Sequence, residues 1–137
     1  MRFLTATIVV LCLAGEVVSI LALREHYNTE PAPCSINERW DCGVVNPSDF
    51  ALLRGVPVAA IGILGYSLLA ALAGRFRVLA ALGALAGLAF ALRLSYIEWK
   101  VLETWCIYCV ASQGIIAVIF LLSAAAFVAG RRAQTHP

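Results

Sequence analysis

A chain of 137 residues with 62% hydrophobic and 13% charged side chains carries about half the charge of a typical soluble domain, where roughly 25% is usual. With a mean hydropathy of +0.90 it holds more apolar surface than a soluble fold of this length can hide, and a bilayer would cover it. A formal net charge of +2 excludes the basic field that nucleic-acid binding needs, and five cysteines are too few for a disulfide-dense secreted scaffold.

In chain order, the first apolar run is Phe3 to Leu23, broken only by Glu16. A membrane span needs roughly 20 mostly apolar residues, so this run is expected to cross the bilayer. The competing reading is a secretory signal peptide, but the run is long for one and no small-x-small cleavage site follows it. Cys12 lies in its middle and is expected to behave as a small, inert hydrophobe. A polar segment, 24–55, comes next. Within it, Asn46-Pro47-Ser48-Asp49 reads as a helix start, with Asn46 as N-cap, Pro47 at the first position and an acid in the first turn. Gly55 would end this short helix, and Phe50, Leu52 and Leu53 would lay its apolar side over the mouth of the bundle.

Three further spans are expected at 56–73, 78–96 and 106–130, with Pro57 opening the first of them. Gly83-x-x-x-Gly87 permits close helix approach. Trp40, Tyr96, Trp99, Trp105 and Tyr108 gather on one side as an aromatic belt. The expected fold is an all-α, single-domain membrane protein: a bundle of four transmembrane helices under an outer loop and short-helix cap. The basic residues divide evenly between the two sides, so their number does not orient the chain. Their density does: Arg2, Arg75, Arg77, Arg131 and Arg132 fall in three short segments without acids. Both termini are therefore expected in the cytoplasm. Inside the spans, Glu16 and Arg93 are expected either to pair or, for Arg93, to reach outward to the interface.

Four cysteines, Cys34, Cys42, Cys106 and Cys109, then share the outer side, where disulfides persist in a bacterium. Trp105-Cys106-Ile107-Tyr108-Cys109 opens the last span. Residues three apart share a helix face, and the amides and dipole at a helix start favour the thiolate that attacks in disulfide exchange. Cys106 is expected to face the aqueous side, with Cys109 one turn deeper, at the depth of a lipid-soluble oxidant. Cys34 and Cys42, separated by seven residues in the outer loop, make a second pair that a flexible segment can swing between partners. A mobile pair in series with a fixed pair makes an electron relay. Two other readings stay open: a tetrahedral zinc site built from the four sulfurs, and two disulfides that merely staple a scaffold. The loose Cys34-x7-Cys42 spacing weighs against zinc, and a Cys-x-x-Cys pair at the start of a membrane helix weighs against staples.

The ordered set Cys34-x7-Cys42, Ser48, Gly55-Val56-Pro57-Val58, Gly62, Tyr66 and Cys106-Ile107-Tyr108-Cys109 resembles the vitamin K epoxide reductase family in its bacterial single-domain form, over roughly Leu4 to Val128. The resemblance implies a quinone, ubiquinone or menaquinone, enclosed by the four helices. It also implies a periplasmic thioredoxin-like thiol oxidase as partner, at the bacterial inner membrane. By position, Cys34 would exchange with the partner, Cys42 would attack Cys106, and Cys109 would engage the quinone, with Ser48 helping to hold it. Two positions depart from the vertebrate pattern: Gln113 stands where those enzymes have a tyrosine, and the region of Val58 lacks their quinone-binding asparagine. Thiol oxidation coupled to quinone reduction is therefore the expected activity, with epoxide reduction as the alternative. Gln113 lies one turn from Cys109 on the same face and is expected to donate either to a quinone carbonyl or to a neighbouring helix.

Overall fold

The structure is a computed structural model in which residues 2–27, 39–40, 52–53 and 55–135 are described. Cys34, Cys42, Ser48 and the helix start at Asn46 lie outside the described residues. What is described is mostly helical. Helix α1 spans Arg2–Tyr27, α2 Val58–Leu72, α3 Arg77–Ile97 and α4 Ile107–Thr135. A strand pair, β1 (Leu52–Leu53) and β2 (Val56–Pro57), precedes α2, and a π-helical turn, Glu98–Leu102, prolongs α3. α1, α3 with its π-turn, and α4 are long and apolar enough to cross a membrane, while α2 is a shorter apolar helix. The chain is thus a multi-pass membrane protein by the length and composition of its helices.

The reason α1 packs as it does is visible in its buried residues. Ile8, Cys12, Gly15, Ser19 and Ala22 follow one another at alternating spacings of four and three, which places them on one stripe of a helix. That stripe meets α2 and α4, and α4 in turn packs along α3. Between α2 and α3 the contact is much less extensive, so the ring of four helices is loosest there. Ile8, Cys12, Tyr66, Leu69, Ala84, Ile116 and Ile119 form the packed centre. Cys12 is fully buried in it, as an inert hydrophobe would be. Leu64, Leu68, Leu82, Leu92 and Leu121 point outward, more than half exposed, and form an apolar outer surface of the kind a bilayer covers.

The strand pair corrects one expectation. Leu52 and Leu53 do not continue a short helix. They pair antiparallel with Pro57 and Val56 across a two-residue turn, in which Gly55 adopts φ +82, a conformation that favours glycine. Pro57, at φ −59, is preset for the helix start that follows it. Because β2 takes Val56 and Pro57, α2 keeps only 15 residues. Of the glycine pair on α3, Gly83 faces Leu69 of α2 and Gly87 faces Ile116 of α4, so both serve contacts within the bundle.

Glu16 and Arg93 do not find each other. Glu16 Oε1 accepts a hydrogen bond from Ser67 Oγ at 2.6 Å, tying α1 to α2, whereas Arg93 lies on the exposed face of α3. Thr5 lies against Gly74, and the Arg77 guanidinium lies beside Gly130. The start of α1, the α2–α3 turn and the end of α4 therefore share one end of the bundle. The opposite end holds the Cys-x-x-Cys segment.

Candidate active site

The geometry of that end is set where α3 gives way to α4. The last turn of α3 widens into a π-turn, and the chain leaves it through Glu103 at φ 53, a left-handed conformation unusual outside glycine. The Glu98 carbonyl accepts the N–H of Glu103 and, at 3.1 Å, that of Thr104. This closure folds the Glu98 side chain inward, where it is 2% exposed. Its Oε2 accepts the backbone N–H of Cys106 at 3.2 Å. Sequence reasoning missed Glu98 and counted it among the acids of the outer side. The available signal was a single acid at the end of the third apolar run, eight residues before the Cys-x-x-Cys pair.

Cys106 is the N-cap of α4: its carbonyl accepts the Val110 N–H at 3.0 Å. Its sulfur occupies the place of a capping side chain and accepts from the backbone N–H groups of Tyr108 and Cys109, at the second and third helical positions. The Cys109 thiol donates to the same sulfur. These donors, the Cys109 thiol foremost, hold the Cys106 thiol below its ordinary range, although burial and the neighbouring Glu98 carboxylate push the other way. The helix start thus favours the thiolate as its amides and dipole predict, but at Cys106 specifically.

The expectation that Cys106 faces water is not met. It is fully buried, packed by Leu102, Tyr108 and Cys109. Trp105, next to it in the chain, pairs with Trp40 in a parallel β-bridge, and the Trp105 N–H donates to the Arg39 carbonyl. The two indoles stack at 6.3 Å with a 32° tilt. Of the five aromatics expected to form a belt, Tyr96 and Trp99 are exposed and fit that role. Trp40 and Trp105 pair with each other, and Tyr108 turns inward.

Cys109 lies on the other side of its partner, facing a cavity of about 390 Å³ among the four helices. The Glu98 carboxyl is the alternative acceptor for the Cys109 S–H, which has one proton to give. The cavity wall is mostly apolar, with a few polar groups. Glu98 and Cys109 stand together in it, and Tyr66, Tyr108, Ser112, Ser19 and His26 are the others. The Tyr66 hydroxyl donates to the Ser112 carbonyl at 3.0 Å and shares a 2.8 Å hydrogen bond with Ser112 Oγ. Volume and lining suit a flat, lipid-soluble ring bearing carbonyls, since ligand sites of this kind are apolar with a few placed donors. Tyr66→Phe removes the tie between α2 and α4 and should lower stability by about 1 kcal/mol, read as a lower melting temperature in detergent.

Gln113 does not line this cavity. Its Oε1 accepts from Ser95 Oγ across the α3–α4 seam, and Ser112 takes the cavity-facing place beside it. Among the described residues, Cys106 and Cys109 are thus the two expected site residues that the structure brings together.

Compared with known families, residues 6–124 match the model of the vitamin K epoxide reductase family. No curated protein matches the chain significantly.

Proposed function

From the premise that the chain belongs to the vitamin K epoxide reductase family, and so carries membrane-bound, quinone-linked redox activity, we propose that it oxidises a thioredoxin-like thiol oxidase outside the bacterial inner membrane and passes the electrons to ubiquinone or menaquinone. Cys34 exchanges with the partner, Cys42 relays to Cys106, and Cys109 delivers to the quinone, with Ser48 helping to hold the ring. Both termini face the cytoplasm and the cysteines face the periplasm. The observation that carries this reading is the division of labour within the Cys-x-x-Cys pair. Cys106 is a buried capping thiol held below its ordinary range by the donors around it, and Cys109 opens into an apolar cavity of about 390 Å³. The bridge from Trp40 to Trp105 supports the relay, because it pins the chain two residues before Cys42 to the residue that precedes Cys106. Quinone, when bound, supplies the two-electron sink. The chain's own residues exclude water, place the Cys109 sulfur at the wall and offer the Tyr66 and Ser112 hydroxyls as hydrogen-bonding partners. Gln113, engaged with Ser95, serves the quinone only by holding the α3–α4 seam beside Ser112.

The test is turnover of the purified protein in detergent with a reduced thioredoxin-like thiol oxidase and a short-chain ubiquinone or menadione. One quinol per disulfide formed is expected, and quinone epoxide in place of quinone is expected to give no turnover, since position 113 lacks the tyrosine of the vertebrate enzymes. Absence of quinol with every quinone and partner, with the four sulfurs remaining oxidised, would instead identify a stapled scaffold.

A further inference from the structure

The geometry points to Glu98 as the group that takes the proton from Cys109 and passes it into the cavity when the cysteine pair reduces quinone. This rests on the functional reading above and adds a residue to it. Among the described residues, the hydrogen-bond partners of the Glu98 carboxyl are the Cys106 N–H and the Cys109 thiol. A buried carboxyl is usually neutralised by a cation or held by several donors; this one is held by the two redox cysteines themselves. The same side chain lines the cavity with Cys109, so a proton taken from the sulfur has a path to a bound ring. The backbone is committed to this placement. A π-turn, a left-handed Glu103 and two N–H groups on the Glu98 carbonyl turn the side chain inward, and such local departures from regular helix cluster at functional sites.

In the step, the Cys106–Cys109 S–S bond forms and two electrons pass to quinone. The proton that Cys106 releases to water on ionising is matched by one that quinone takes from water, the second comes from Cys109, and the product is quinol. Of those protons, the one on Cys109 goes to the Glu98 carboxylate and from it into the cavity, so that Glu98 ends as it began. Cys106 and Cys109 contact it, and the other titratable groups that line the same cavity are Tyr66 from α2, Tyr108 from α4 and His26 from α1. A purely structural role, capping the Cys106 N–H, needs only an acceptor. Glutamine supplies an acceptor but cannot carry the proton.

The experiment uses the reduced full chain in detergent, wild type beside Glu98→Gln and Glu98→Asp. Without quinone, the rate of Cys109 alkylation by iodoacetamide is followed against pH by mass spectrometry. The wild type is expected to show one inflection more than Glu98→Gln, because a carboxyl and a thiol that share a proton titrate as a pair, whereas the Cys106–Cys109 contact is common to both proteins. With menadione in a single turnover, Glu98→Gln is expected to fall about 100-fold, the range of general base catalysis. Glu98→Asp, which keeps a carboxyl, is expected to retain the additional inflection and an intermediate rate, and so carries the test if Gln perturbs the fold. A wild-type profile with no inflection beyond those of Glu98→Gln, or a Glu98→Gln protein that reduces menadione at the wild-type rate, overturns the role of Glu98. Wild-type protein that fails to reduce any quinone overturns the functional reading beneath it, so the two failures are distinct.

Discussion

Cys109→Ser is expected to stop quinone reduction, by about 1,000-fold or more, while leaving the fold intact. The change replaces sulfur by oxygen at a half-buried site, so packing around α4 is nearly conserved. The chemistry is not. A hydroxyl ionises far less readily than a thiol and forms no disulfide, so the electron path from Cys106 ends there. The serine hydroxyl can still donate to the Cys106 sulfur, as the Cys109 thiol does, so the loss falls on the redox step rather than on the Cys106 environment. The comparison that gives this result meaning is Cys12→Ser. Cys12 is also buried, in the centre of the bundle and away from the Cys-x-x-Cys end, so its replacement should leave turnover within about twofold of wild type. A protein that tolerated Cys109→Ser as well as Cys12→Ser would be a scaffold rather than a relay.

The second large effect is one of packing. A Cβ on Gly15 would lie 2.4 Å from ring carbons of Tyr66, well inside van der Waals contact. Tyr66 has little freedom to move away, since it is 5% exposed and its hydroxyl is tied to Ser112. Gly15→Ala should therefore destabilise the protein by about 1–3 kcal/mol, the usual cost of overpacking a filled core. It should also slow quinone reduction, because the displaced ring belongs to the cavity wall. Thermal melting in detergent, followed by circular dichroism, measures the first effect and the quinol assay the second. Gly114→Ala is the control: a Cβ there meets nothing within 4 Å, so the melting temperature should hold or rise slightly.

The long helices were legible in the sequence because hydropathy is a strong, local signal over 20 residues. α4 begins within one residue of the expected start, and α3 brackets the expected 78–96 on both sides. The second helix came out shorter than its apolar run because a two-residue strand claims Val56 and Pro57, and pairing between strands is a non-local contact that no hydropathy window reports. Gln113 and Ser112 illustrate the same limit. Both lie about one turn beyond Cys109, and the roughly 100° between neighbours on a helix sends one to the cavity and the other to Ser95. Glu98 was hardest to read. Its inward turn depends on a π-turn and a left-handed Glu103, and neither residue type announces such a backbone.

The brevity of α2 has a mechanical consequence for the lipid around it. Fifteen residues make a rod of about 22 Å, whereas the hydrocarbon of a typical bilayer is about 30 Å thick. The other three helices match or exceed that thickness, so the mismatch falls on one flank alone. Acyl chains beside α2 must shorten or splay, and headgroups sink toward the strand pair at its start. Each ångström costs a fraction of a kcal/mol, so the bilayer deforms locally while the bundle stays upright. The thinned flank adjoins the loose seam between α2 and α3. A hydrophobic carrier diffusing in the membrane therefore meets its narrowest lipid barrier, and its shortest vertical search, beside the cavity that Cys109 faces.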